Sequence, residues 1–284
     1  MLANILKQDR RVIYIGEPRY IWKHKNFYVG HDMLTKKHIT PEVREHITTA
    51  FQNYFQKNDG DVLLEKTPSN SLRFEFVYNL FPDAKYIHII RNGIDVAFSA
   101  KKRWMGEYTK TELVHKKNLS NISKATNRRL KRKWKDSGAY WLDILNDLKY
   151  TLPLYLNNIG LKKQSMWGPC YPGINIDYKN LELIEVCSLQ WKKSVESVLQ
   201  FKNSESFNGD YHEIRYEDIV SGNMQKVNNL FNFAGIDFNQ EAKVYTEKIK
   251  QNFRKRTLNS ESDSIEKQMI IQRCGSMLKK LGYF

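Results

Sequence analysis

Cysteine, proline and glycine are all scarce in this chain of 284 residues, at 3, 7 and 14. Cys170, Cys187 and Cys274 form neither a CxxC pair nor an even-numbered framework. That argues against a disulfide scaffold or a zinc site and for a reducing compartment. The low glycine and proline content excludes collagen-like and linker-like architectures. No apolar run approaches the roughly 18 residues needed to cross a membrane. The start, MLANILKQDRR, has only a few apolar residues before its charges and lacks the parts of a signal peptide, so a cytoplasmic location is expected. The 7 histidines show no HxxxH-type spacing, and no metal is assigned.

What is present is core-forming material and positive charge. Hydrophobic residues make up 41% and aromatics 13%, enough for a full-sized core and too much for a disordered chain. The formal net charge of +15 implies an anionic partner. Its sign alone leaves nucleic acid, acidic glycan, phosphorylated cofactor and membrane surface open. The densest basic run, Arg128 to Lys135, reads in the first instance as a solvated helix face.

Along the chain, short apolar runs alternate with helical periodicity. Val12 to Ile15, Val62 to Leu64 and Ala84 to Ile90 read as buried strands, each ended by turn or charged residues. Thr40 and Pro41 open a helix to Lys57, with Val43, Ile47 and Phe51 on one face. Ser69 or Asn70 is expected to cap a second helix carrying Leu72, Phe76 and Leu80. A third runs from Ile94 to Lys102, and Leu181 to Leu199 forms a longer one with Trp191 on its buried face. Tyr211 to Tyr216 resumes the sheet, and three helical stretches follow. Strand and helix alternating at this spacing argue for parallel βαβ units, hence an α/β fold. The segment from about 103 to 180 changes character and reads as a mostly helical insertion in a single domain spanning 1–284.

In an open parallel sheet, ligands collect at the carboxyl ends of strands. Here those ends carry Glu17, then Glu65 and Lys66, then Arg91, then Arg215, Tyr216 and Glu217. Arg91 stands where a strand meets a helix, so its guanidinium can join that helix's free N–H groups on a phosphate. Ser99 lies eight residues on, about two helical turns away. Taken singly, each of these residues also has a structural reading as an ion-pair, turn or capping residue.

Together they form a pattern. Leu64 to Pro68 (LEKTP), followed by Phe81 to Ser99 (FPDAKYIHIIRNGIDVAFS), closely resembles the sulfotransferase superfamily. Gly16 to Trp22 (GEPRYIW) is similar to that family's early Glu-Pro segment, and Arg215 to Ile219 (RYEDI) to its later (R/F)YED element. Ser260 to Tyr283 resembles its C-terminal helix and Leu-Gly-Tyr close. The resemblance implies a P-loop-NTPase-like three-layer fold with a central parallel sheet. It also implies sulfuryl transfer from 3′-phosphoadenosine 5′-phosphosulfate to a hydroxyl or amine, without a metal. By the same resemblance, Arg91 and Ser99 hold the 3′-phosphate and Tyr216 lies on the adenine side. Arg254, Lys255 and Arg256 belong to a basic loop over the 3′-phosphate, Lys66 stabilises the leaving phosphate, and Glu17 is the base.

One family element is absent. The strand and glycine-rich turn that wrap the 5′-phosphosulfate have no counterpart, and Met1 to Leu6 looks like the helix that should follow them. The expectation is therefore that the first strand and the phosphosulfate loop are missing. The acceptor is expected to be a carbohydrate or other hydroxylated metabolite, met by the insertion, where Trp104, Trp134, Trp141 and Trp167 can stack on a sugar or simply pack. No nucleic-acid motif is present. The alternative is a non-catalytic, truncated relative that binds a polyanion or nucleotide.

Overall fold

The computed structural model describes residues 1–106, 166–257 and 264–284, with backbone only at 254–257 and 264. The basic run at 128–135, Trp134, Trp141 and most of the expected insertion lie outside the described residues. The chain opens with helix α1 (Leu2–Leu6), strand β1 (Val12–Gly16) and a short helix α2 (Arg19–Trp22). Helix α3 (Pro41–Gln56) leads into β2 (Val62–Lys66), and α4 (Phe74–Leu80) into β3 (Tyr86–Ile90). Helix α5 (Gly93–Trp104) follows at once. After the undescribed stretch come α6 (Ile174–Asn180), α7 (Leu183–Lys202) and β4 (Tyr211–Arg215). The remaining helices are α8 (Tyr216–Val220), α9 (Met224–Ala234), α10 (Gln240–Thr257) and α11 (Ser264–Lys280).

Local chemistry accounts for several boundaries. Thr40 Oγ1 accepts from the Val43 N–H at 3.3 Å, so α3 begins where a capping hydroxyl and a first-turn proline coincide. Asn92 caps α5 in the same way, its Oδ1 taking the Ile94 N–H at 2.9 Å. The start of α4 differs from expectation. Ser69 Oγ donates to Asp32 at 2.8 Å, while Asn70 gives its Nδ2 to Glu65 at 2.7 Å and accepts the Arg73 Nε–H on Oδ1 at 2.9 Å, so both would-be caps are engaged elsewhere. A short 3-10 turn over Pro68–Ser71 takes their place, and α4 begins at Phe74.

The strands are parallel as expected, but the single central sheet is not what the described residues form. They make two separate pairs, β1 with β2 and β3 with β4. Val12 stands opposite Val62 and Gly16 opposite Lys66, while Tyr86 stands opposite Tyr211 and Ile90 opposite Arg215. The register shows which backbone groups lie outside each ladder. The Val62 N–H donates to Arg11 O at 3.1 Å and the Glu17 N–H to Lys66 O at 3.0 Å, so Val62, Leu64 and Lys66 aim their backbone groups at β1. By the alternation of a parallel ladder, Leu63 and Glu65 aim theirs the other way. The Tyr86 N–H donates to Asp210 O at 2.9 Å, so Ile87 and Ile89 likewise face away from β4. No ladder joins β2 to β3.

Side chains nevertheless place both pairs in one layer. On one face, Ile15, Trp22, Ile47, Phe51, Phe76 and Leu80 form a core on which Leu63 and Tyr86 also pack. On the other, Ile5, Leu6, Ile214, Leu230 and Phe231 pack with Val12, Val62, Leu64 and Ile87. Each pair thus feeds alternate side chains into both cores, the three-layer pattern of an α/β protein. Trp104 is 1% exposed, with its indole N–H on Gln190, so it is core rather than a platform for a sugar. Trp191 is also core. Among the described residues, no helix is long and apolar enough to cross a membrane.

Candidate active site

The β1–β2 register fixes the first half of the site. Because Gly16 faces Lys66, the next residue, Glu17, is drawn across the strand ends, and its N–H closes on Lys66 O. Glu17 takes φ +54°, in the left-handed region that costs a non-glycine residue roughly 1 kcal/mol. Backbone strain of this kind gathers at functional positions. The Lys66 ammonium then pairs with Glu17 Oε1. Both side chains are about half exposed, so the pair adds at most about 1 kcal/mol to stability.

The β3–β4 register builds the second half. With Ile90 opposite Arg215, Arg91 and Tyr216 leave the two strands side by side, and the Arg91 guanidinium lies 4.4 Å from the Tyr216 ring centroid. Arg91 also stands 3.6 Å from Asp95, yet its Nε is buried without a hydrogen-bond partner. The turn that carries it is held on several sides. Trp191 Nε1–H donates to Arg91 O at 3.1 Å, and the Asn92 N–H donates to Glu217 Oε1 at 2.9 Å. Ser99 is exposed on α5, four residues past Asp95 on the same stripe, and makes no hydrogen bond with Arg91. The structure therefore brings together Glu17 with Lys66 and Arg91 with Tyr216. It aligns Ser99 with the second couple without joining it.

Behind the first half lies an ionic cluster that the sequence did not reveal. Lys23 is fully buried, its Nζ donating to Val29 O at 2.8 Å and His31 O at 2.7 Å, and burial lowers its pKa to about 8. Arg73 is also fully buried. Its Nε donates to Asn70 Oδ1 at 2.9 Å, its Nη1 and Nη2 have no partner, and burial lowers its pKa to about 10. Burial pushes the Asp32 carboxyl up, but Arg19, Arg73 and the bonds from Cys170 and Ser69 outweigh it and leave it below its ordinary value. The Glu65 carboxyl takes bonds from Trp22, Thr67 and Asn70, and burial raises its pKa. This network fixes the 65–70 turn and with it the strand end that presents Lys66. Scattered Lys, Arg and Asp in loops read as solvated charge, so nothing in their spacing marks them as buried.

Two other expectations change. Arg254, Lys255 and Arg256 lie within α10, not in a loop, since that helix continues to Thr257. Lysine and arginine are good helix formers, and nothing in the triplet breaks the helix. Among the described residues, no group of three or more His, Cys, Asp or Glu side chains is placed to hold a metal.

Charged side chains thus gather at the carboxyl ends of parallel strands, beside a capped helix N-terminus, the place where α/β proteins commonly carry their ligands. Residues 21–151 match the sequence profile of the Sulfotransferase family. The resemblance read from the sequence is thereby borne out over that span, which contains Lys66, Arg91 and Ser99 and leaves Glu17, Tyr216 and the basic triplet outside. No curated protein and no solved structure matches the chain.

Proposed function

We propose that the chain is a sulfotransferase whose donor is 3′-phosphoadenosine 5′-phosphosulfate and whose acceptor is a hydroxyl, or an amine, of a carbohydrate or small metabolite. The observation that carries this reading is the Glu17–Lys66 pair at two adjoining strand ends, with Lys66 inside the segment that matches the family. The second half of the site fits the donor: the unsatisfied Arg91 Nε, the N-terminus of α5 and the aromatic face of Tyr216 suit a phosphate next to a base. When bound, the donor supplies the sulfuryl group and a phosphate leaving group. Arg91 and Ser99 would hold its 3′-phosphate, and Tyr216 would line the adenine side.

The chain's own residues do the rest by position and charge. Glu17 and Lys66 neutralise each other as they stand. Separating them yields a carboxylate that can take a proton from an acceptor hydroxyl and an ammonium that can meet negative charge on a departing phosphate. No metal is needed for either task. The second reading, a non-catalytic polyanion binder, draws on the charge of +15.

Calorimetric titration with 3′-phosphoadenosine 5′-phosphate tests the proposal, with ATP and an Arg91→Ala variant as controls. Selective binding that falls at least tenfold in the variant is expected. Equal, steeply salt-dependent binding of both nucleotides, indifferent to Arg91, would instead establish the polyanion binder.

A further inference from the structure

We propose that the C-terminal residues 281–284 form a strap that positions Arg91, with Tyr283 and Glu217 as its positioning residues. This rests on the anion-holding role given to Arg91 above. The geometry begins at the end of α11. Gly282 takes φ +71°, the Tyr283 N–H donates to Leu278 O at 2.9 Å and the Gly282 N–H to Lys279 O at 3.0 Å. That pair of bonds is a Schellman cap, which turns the chain sharply back and leaves Tyr283 little choice of direction. Arg215, the last residue of β4, fastens the turn: its Nη2 donates to Leu281 O at 2.5 Å and its guanidinium lies 4.8 Å from the Tyr283 ring centroid.

The Tyr283 hydroxyl donates to Glu217 Oε2 at 2.9 Å, and Glu217 Oε1 accepts the N–H of Asn92 at 2.9 Å. A single carboxylate therefore links the chain's last residues to the amide next to Arg91. Burial first, then the hydrogen bond to Glu217 and its charge, raises the Tyr283 pKa, so the phenol stays a donor at neutral pH. Arg91 itself lies over Tyr216, the residue before Glu217. Held by Tyr283, Glu217 is committed to the Asn92 amide. Released, it is free to turn towards a neighbouring guanidinium and to occupy charge that an incoming phosphate needs. The strap thus both fixes the turn and keeps its arginine available.

The full chain carrying Tyr283→Phe tests this, because the ring is kept and only the hydroxyl is lost. The expected result is a three- to tenfold weaker affinity for 3′-phosphoadenosine 5′-phosphate and faster amide hydrogen exchange at Asn92. In an Arg91→Lys background the same change should cost little more, since both act on one contact. Glu217→Gln, whose carbonyl oxygen can still accept the Asn92 N–H while its NH2 donates to the Tyr283 hydroxyl oxygen, should retain most of the affinity that Glu217→Ala loses. Wild-type affinity and unchanged Asn92 exchange in Tyr283→Phe overturn the strap while leaving the donor reading intact, as does a fully additive loss in the Arg91→Lys background. A folded wild-type chain that binds no 3′-phosphoadenosine 5′-phosphate overturns the donor reading and the strap's role with it.

Discussion

Replacing Gly93 by alanine tests how tightly the Arg91 turn is built. A Cβ at Gly93 would stand 2.6 Å from Trp191 Cε3 and 2.7 Å from Cδ2 and Cζ3, about 1 Å inside carbon contact distance. The indole has little room to yield. It is 6% exposed, packs with Ile90, Val195 and Leu278, and its N–H is bonded to Arg91 O. Gly93 does not need a positive φ, so sterics alone decide the outcome. Overpacking costs about 1–3 kcal/mol. A strained Trp191–Arg91 bond adds about 1 kcal/mol, and the helix preference for alanine returns ~0.5–1 kcal/mol. The expected loss is about 2 kcal/mol, or a fall in Tm of roughly 4–8 °C. Gly275 in α11 is the control: a Cβ there meets Ile271 Cγ2 at 3.6 Å, an ordinary contact. Gly275→Ala should therefore stabilise, by ~0.5–1 kcal/mol. Thermal and guanidinium melts of both variants give the comparison, and Trp191→Phe in the Gly93→Ala background should recover part of the loss. A Gly93→Ala protein as stable as wild type would refute the steric argument.

The Asp9 carboxyl is held down to about 2 from 3.8, mainly by its bonds from the Arg11 guanidinium and also by the N–H groups of Asp237 and Arg11. Its folded pKa lies below the unfolded value. Its stabilisation, on the order of 2 kcal/mol, is therefore complete above about pH 4 and fades as pH falls towards 2. Denaturant melts of wild type and Asp9→Asn should show a gap at pH 7 that narrows by pH 2.5, and a gap that stays constant with pH would contradict the assignment. Lys66→Met and Glu17→Gln should each slow single-turnover sulfuryl transfer by about a hundredfold, with melting changed by less than about 1 kcal/mol. Because the two side chains are partners, the double variant should fall well short of the product of the single losses. Fully multiplicative losses would mean that they act apart.

Where the sequence was legible, the reason was local. β1, β2, α3 and α5 announce themselves by unbroken apolar spacing between a capping residue and a breaker, and none needs a distant partner to be recognised. The beginning of α4 was misread because Ser69 and Asn70, good caps in isolation, bond to Asp32 and Glu65. The division of the sheet was hidden for a similar reason. Which strand pairs with Tyr86 is decided by Tyr211, far along the chain, and no local pattern records it. At the site, the strand ends together with the resemblance to the family led to Glu17, Lys66, Arg91 and Tyr216, which the structure gathers into two couples. Lys23, Asp32 and Arg73 escaped because burial of a charge is a property of the fold, and composition counts such residues as surface.

Among the described residues no ladder joins the two strand pairs, and this sets how the two halves of the site are held. Glu17 and Lys66 ride on one pair of strands, and Arg91 and Tyr216 on the other. Within each pair a directional hydrogen-bond ladder sets the spacing. Between the pairs, cohesion comes from side chains packed above and below, which resist separation but define no register. Among the described residues the two couples therefore sit on two separately laddered strand pairs that are joined by side-chain packing. Each couple's geometry is set within its own ladder, and among the described residues no ladder sets the distance from one couple to the other.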